Sequence, residues 1–153
     1  MKVIGLNFTK ISAAKDENFK VGPAINTDIE FTNVEEESVS LLKEDSQALK
    51  SAFRFSVSYL ESEDKKSKKN AEIILEGNII VSGTKDEAKD VQKAWKKKEI
   101  PNSFKVPLFN LILRKCSPKA LQLEEELNLP THIPLPQIRP GPQSPQNTEE
   151  EKK

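Results

Sequence analysis

Cys116 and His132 are the only cysteine and histidine in the 153-residue chain, so any thiol or imidazole chemistry must use them. As a pair they could form a thiolate nucleophile activated by an imidazole base. With carboxylates added they could hold zinc, but neither residue sits in a recognisable ligand spacing. Cys116 closes a dense apolar stretch and reads as a small core residue. His132 stands beside Ile133 and Pro134 and reads as structural. The five glycines are scattered, so no loop cradles a phosphate. Trp95 lies among lysines, where it either stacks on a ligand or docks on its own fold, and the second reading is favoured. No catalytic residue, metal or cofactor is expected, and an enzyme built on Cys116 or His132 is the weakest functional class.

Composition narrows the rest. Lys plus Arg equals Asp plus Glu at 24 each. A neutral chain is not a general nucleic-acid binder, which needs net positive charge to displace counterions. Hydrophobic residues make up 35% and charged residues 31%, a meagre apolar share for a chain of this length. Such a chain is either marginal alone or completes its core by association. A single cysteine precludes an intrachain disulfide, which fits a reducing, cytoplasmic compartment. The start, MKVIGLNFTKIS, lacks a signal peptide's apolar stretch, and no run approaches the roughly 18 apolar residues of a spanning helix.

The elements that must position these residues read as strands followed by helices. Over 1–15, Ile4, Leu6 and Phe8 alternate with polar residues, and Ile11 falls out of phase, as at a bulge or strand end. Over 24–34, Ile25, Thr27, Ile29 and Phe31 oppose Asn26, Asp28, Glu30 and Thr32, a half-buried antiparallel strand with a wet face. Residues 35–51 hold either a ragged strand through Val39 and Leu41 or a loop. Phe53, Phe55, Val57 and Tyr59 share one face of a third strand. Ser62 to Asn70 (SEDKKSKKN) is a charged loop. Ala71, Ile73, Leu75, Gly77, Ile79 and Val81 share a face of a fourth, with Gly77 marking a bend or a close backbone approach.

Thr84 and Glu87 then form a capping box for a helix ending at Lys96–Lys98, with Val91, Ala94 and Trp95 as its apolar stripe. A second helix follows Pro101. It is apolar nearly all round from Phe104 to Leu113, which asks for a partner chain, and Pro107 either lies in its first turn or bends it. Ser117-Pro118 reads as the start of a third helix, stopped at Asn128. Leu129 to Pro140 carries too many prolines for helix and reads as an extended apolar strap. That strap either covers the core or borders an open groove. One domain over 1–140 and a disordered tail over 141–153 are expected.

In order and length of elements, from Ile4 to Pro140, the chain resembles the SecB family of protein-export chaperones, nearest its diverged, SecB-like branch. The opening GLNFTKI, three further strands, a crossover, helices meeting near Cys116 and the closing ELNLPTHIPLP carry the resemblance. It implies an α+β fold: a four-stranded antiparallel sheet with C-terminal helices on one face. It implies a homotetramer, a dimer of dimers, with Phe104, Leu108, Leu111 and Ile112 at the oligomer interface. It also implies ATP-independent holding of unfolded or precursor polypeptides in apolar grooves. The client-binding positions would be Trp95, Ile100, Leu121, Leu127, Leu129, Ile133 and Leu135. Asp28, Glu30, Glu72 and Glu76 would form an acidic face for a SecA-type motor. Control of a toxin–antitoxin pair, with an antitoxin as partner, is an alternative. So is a non-enzymatic adaptor for one protein partner. Neither nucleic acid nor membrane insertion is implied.

Overall fold

The computed structural model describes residues 1–22, 24–64 and 66–141. Four strands, β1 (Lys2–Lys15), β2 (Ala24–Glu37), β3 (Ser46–Leu60) and β4 (Lys69–Thr84), precede two helices, α1 (Lys85–Lys96) and α2 (Asn102–Glu126). The strands form one antiparallel sheet in the order β1-β4-β3-β2, so β1 and β2 are its edges. The expected α+β architecture is therefore present. No helix of the described residues is long and apolar enough to cross a membrane. The expected tail lies outside the described residues, apart from Gly141.

Alternation decides which face is covered. Phe53, Phe55, Val57 and Tyr59 of β3 and Ile73, Leu75, Ile79 and Val81 of β4 are buried, while residues between them on the two strands are mostly half-exposed. β1 keeps its apolar side chains on the same face only through two bulges, between Val3 and Gly5 and between Phe8 and Lys10. The second restores Ile11 to the face of Leu6 and Phe8, opposite Leu75. The first sets Ile4 out of register with Leu6 and Phe8, correcting the expected alternation, and leaves it 48% exposed.

Across the middle of the sheet the register aligns Phe8, Gly77, Phe53 and Phe31 in one row. A Cβ on Gly77 would lie 2.3 Å from the Asn7 carbonyl oxygen and about 3 Å from the Phe53 ring. The glycine thus permits close approach, and Phe8 meets Phe53 edge-on across it at 6.4 Å.

Residues 35–51 resolve toward longer strands. β2 continues to Glu37 and β3 starts at Ser46, with Glu35 opposite Lys50. Val39 and Leu41 lie in the connection and form no strand. Thr84 and Glu87 do form the capping box: the Glu87 N–H donates to Thr84 Oγ1 (3.2 Å) and the Thr84 N–H to Glu87 Oε2 (2.9 Å).

The expected third helix is not separate. α2 runs unbroken through Pro107 and Pro118 for 25 residues. Both prolines are exposed, as are Ser103 and Arg114, whose carbonyls lose their amide partners there. Both breaks fall on the exposed side of the helix, and tertiary packing on the other side overrides the break signal. That packing is a row at four-residue spacing, Phe104, Leu108, Ile112, Cys116, Ala120 and Glu124, all buried. The helix is consequently one-sided: Val106 and Leu113 stay exposed on its outer face.

Candidate functional site

The described surface has an aromatic hollow of about 330 Å³ at the free edge of β2. Its floor and walls are Ile29, Phe31, Trp95, Ile100 and Phe109, and its rim carries Glu30, Lys98, Glu99 and Lys105. Three elements build it. Phe31 sits beside a β2 bulge and packs against Phe109 at 5.1 Å and Phe104 at 6.1 Å. The first turns of α2 bring Phe109, capped by Lys105 Nζ 5.2 Å above its ring. The end of α1 brings Trp95.

The turn from α1 into the hollow has a defined geometry. The Lys98 N–H donates to the Trp95 carbonyl (2.9 Å) and the Glu99 N–H to the Ala94 carbonyl (2.9 Å). That pair of bonds reverses the chain through a left-handed residue, here Lys98 at φ 55°. Lysine is a strained choice for a position that favours glycine. It places a cationic side chain on the rim and directs Ile100 into the hollow.

The sequence-expected binding residues divide between two places. Trp95 and Ile100 meet in the hollow. Leu121 and Leu127 are half-buried near the far end of α2, Leu129 is buried in the core, and Ile133 and Leu135 are exposed on the strap. None of these five residues lines the hollow of Trp95 and Ile100. Ile29, Phe31 and Phe109 join that pair there, beyond the residues expected from the sequence. The first two were legible only as the apolar side of β2, and Phe109 as one residue of an apolar helix.

The residues expected at an oligomer interface lie against the chain's own core. Phe104, Leu108 and Ile112 face the chain's own sheet and are buried, and Leu111 is half-buried against the same core. The acidic residues on the open face also separate. Glu72 and Glu76 flank Arg54 (3.7 and 3.9 Å), and Glu72 also pairs with Lys69 at 3.0 Å. Asp28 and Glu30 have no ion pair among the described residues. Glu35 is bound by Lys50 at 3.0 Å, and this hydrogen bond and charge hold its carboxyl below the usual range.

His132 and Cys116 do not form a nucleophile pair. His132 Nδ1 lies 2.5 Å from Glu124 Oε1, and the His132 N–H donates to the same oxygen at 3.2 Å. Cys116 is buried on the row facing the sheet, and burial pushes its thiol up to about 12. Among the described residues no group of three or more His, Cys, Asp and Glu side chains could hold a metal ion.

Comparison with known proteins found no matching family model and no matching curated protein. Among solved structures the chain is similar to a Mycobacterium tuberculosis SecB-like chaperone, Rv1957, determined with a ChAD peptide from the Rv1956 HigA1 antitoxin. Identity is 11%, each chain is covered over 91%, and the TM-score is 0.45.

Proposed function

We propose that this protein is an ATP-independent holding chaperone that takes apolar side chains of extended polypeptides into the β2-edge hollow. One observation carries the reading. An aromatic hollow lies open beside an unpaired strand edge, so a client can insert side chains while its backbone lies along β2. Burying one large apolar side chain is worth about 1.5–3 kcal/mol. Association itself costs at least about 4 kcal/mol, so one hollow alone binds weakly. Useful affinity follows from several hollows engaging one chain, which requires an oligomer of the kind the SecB resemblance implies. Precursor polypeptides for export and an antitoxin are the client classes that resemblance brings.

The test is light scattering of a chemically unfolded protein diluted with and without this chain, in the absence of nucleotide. Near-stoichiometric suppression is expected, together with its loss in Ile100→Asp and Trp95→Ser variants that keep the wild-type circular dichroism and solution mass. A folded protein that suppresses nothing, or variants that suppress fully, would refute the assignment. Tight binding of one partner without suppression would identify an adaptor instead.

A further inference from the structure

A second cleft, of about 360 Å³, lies at the opposite edge of the sheet, where Met1 and Val3 of the β1 end face the start of α2. Val81, Val91, Phe104 and Leu108 form its apolar base. The charged side chains lining it are both acidic, Glu87 and Asp90. Glu87 is held in the capping box and lies near the Met1 amino group. Asp90 is exposed and has no ion pair among the described residues.

The strap supplies a complementary shape. Its base is fastened at three points: Lys15 Nζ donates to the Leu127 carbonyl (2.8 Å), Tyr59 Oη donates to the Pro130 carbonyl (2.6 Å), and His132 meets Glu124. Beyond His132 the chain stands clear as an arm, IPLPQIRP. Leu135 is 49% exposed and Ile138 fully exposed. Its prolines preclude strand pairing and keep it extended, so little conformational freedom is lost when it docks. Arg139 is the arm's only charge, opposite in sign to the cleft's side chains.

We infer that the arm of one copy docks in the acid-rimmed cleft of a second copy, with Leu135 or Ile138 in the apolar base and Arg139 beside Asp90. Distance makes the contact intermolecular. The arm is fastened at the Lys15 end of β1 and the C-terminal end of α2, whereas the cleft lies at the Met1 end of β1 and the start of α2. β1 has 14 residues, about 45 Å at roughly 3.3 Å each. α2 has 25 residues, about 37 Å at 1.5 Å each. The arm from Ile133 to Ile138 reaches only about 20 Å at roughly 3.1 Å per residue. Arm and cleft are different surfaces, so exchange between two copies closes a dimer if reciprocal and builds a ring or chain if not.

The test mixes full-length copies carrying Ser103→Cys in the cleft with copies carrying Gln137→Cys on the arm under mild oxidation. Both positions are exposed, and Cys116 stays in place because it is fully buried. A mixed disulfide is expected to form faster than with Leu41→Cys, a control at another exposed position. Asp90→Lys on the cleft copy should slow it by about three- to fivefold, the size of one exposed charge pair, and Arg139→Glu on the arm copy should restore it. A rate equal to the control's, or one indifferent to Asp90→Lys, would overturn the inference.

Discussion

Glu124 Oε1 and His132 Nδ1 lie 2.5 Å apart, with side-chain exposures of 0% and 1%. At that separation the two side chains are hydrogen-bonded. The second carboxylate oxygen and the second ring nitrogen have no hydrogen-bond partner among the described residues. The ring also meets Phe55 edge-on at 5.9 Å, so the pair joins the end of α2, the strap and β3. Removing one partner leaves the other buried without its main contact. His132→Leu and Glu124→Leu should each cost about 3–5 kcal/mol, and the double substitution should cost far less than their sum. Urea denaturation of the four proteins measures this. Additive costs would mean that the two side chains are stabilised separately.

At Gly77 the dependence is reversed, and packing relies on a side chain being absent. A methyl group there would meet the Asn7 carbonyl and the Phe53 ring at distances neither tolerates. Gly77→Ala should destabilise the protein by about 1–3 kcal/mol, the usual cost of overpacking a well-filled core. Phe53→Leu in the same chain should recover part of that loss. If Gly77→Ala alone melts at the wild-type temperature, the row Phe8–Gly77–Phe53 is looser than described.

Pro118 sits in the middle of α2 and removes the amide that would bond the Arg114 carbonyl. A proline inside a helix costs about 3 kcal/mol, and its restriction of the unfolded chain returns at most about 1. Pro118→Ala should therefore stabilise the protein by about 2 kcal/mol, read from thermal or urea unfolding. A destabilised variant would mean that the backbone geometry Pro118 imposes is needed to seat Cys116 and Ala120 on the sheet.

The same proline shows where the sequence was legible and where it was not. Strand existence, strand faces and the capped start of α1 follow from two-residue alternation and from local capping chemistry, which act between near neighbours. They were readable at Phe53–Tyr59, Ala71–Val81 and Thr84–Glu87. At Ser117-Pro118 a good start signal competed with burial of a six-residue row, and burial won because each apolar member adds more than a start signal is worth. The hollow was half legible. Trp95 and Ile100 stand out in the sequence, but Phe31 reaches them only through the sheet register and the crossover turn. That turn depends on Lys98 adopting φ 55°, for which lysine gives no signal. The Glu124–His132 pair was not legible, because a glutamate near the end of a polar helix segment reads as solvated.

Cys116 yields a prediction about pH. Burial raises its folded-state thiol to about 12, above the ordinary thiol value of roughly 8.5. The folded chain therefore holds the proton over a range in which the unfolded chain has lost it. Stability that is present below the ordinary thiol value should decline as pH rises from there toward 12. Tyr59 is also shifted upward, chiefly by burial and then by Glu124, and acts in the same direction. A comparison with Cys116→Ala separates the two. The stability difference between wild type and variant should be constant below the ordinary thiol range and should move in the variant's favour above it. Native Cys116 should also react with iodoacetamide only as fast as the protein unfolds. A thiol modified rapidly in the folded protein, or a difference independent of pH, would place Cys116 in contact with solvent and remove it from the row that seats α2 on the sheet.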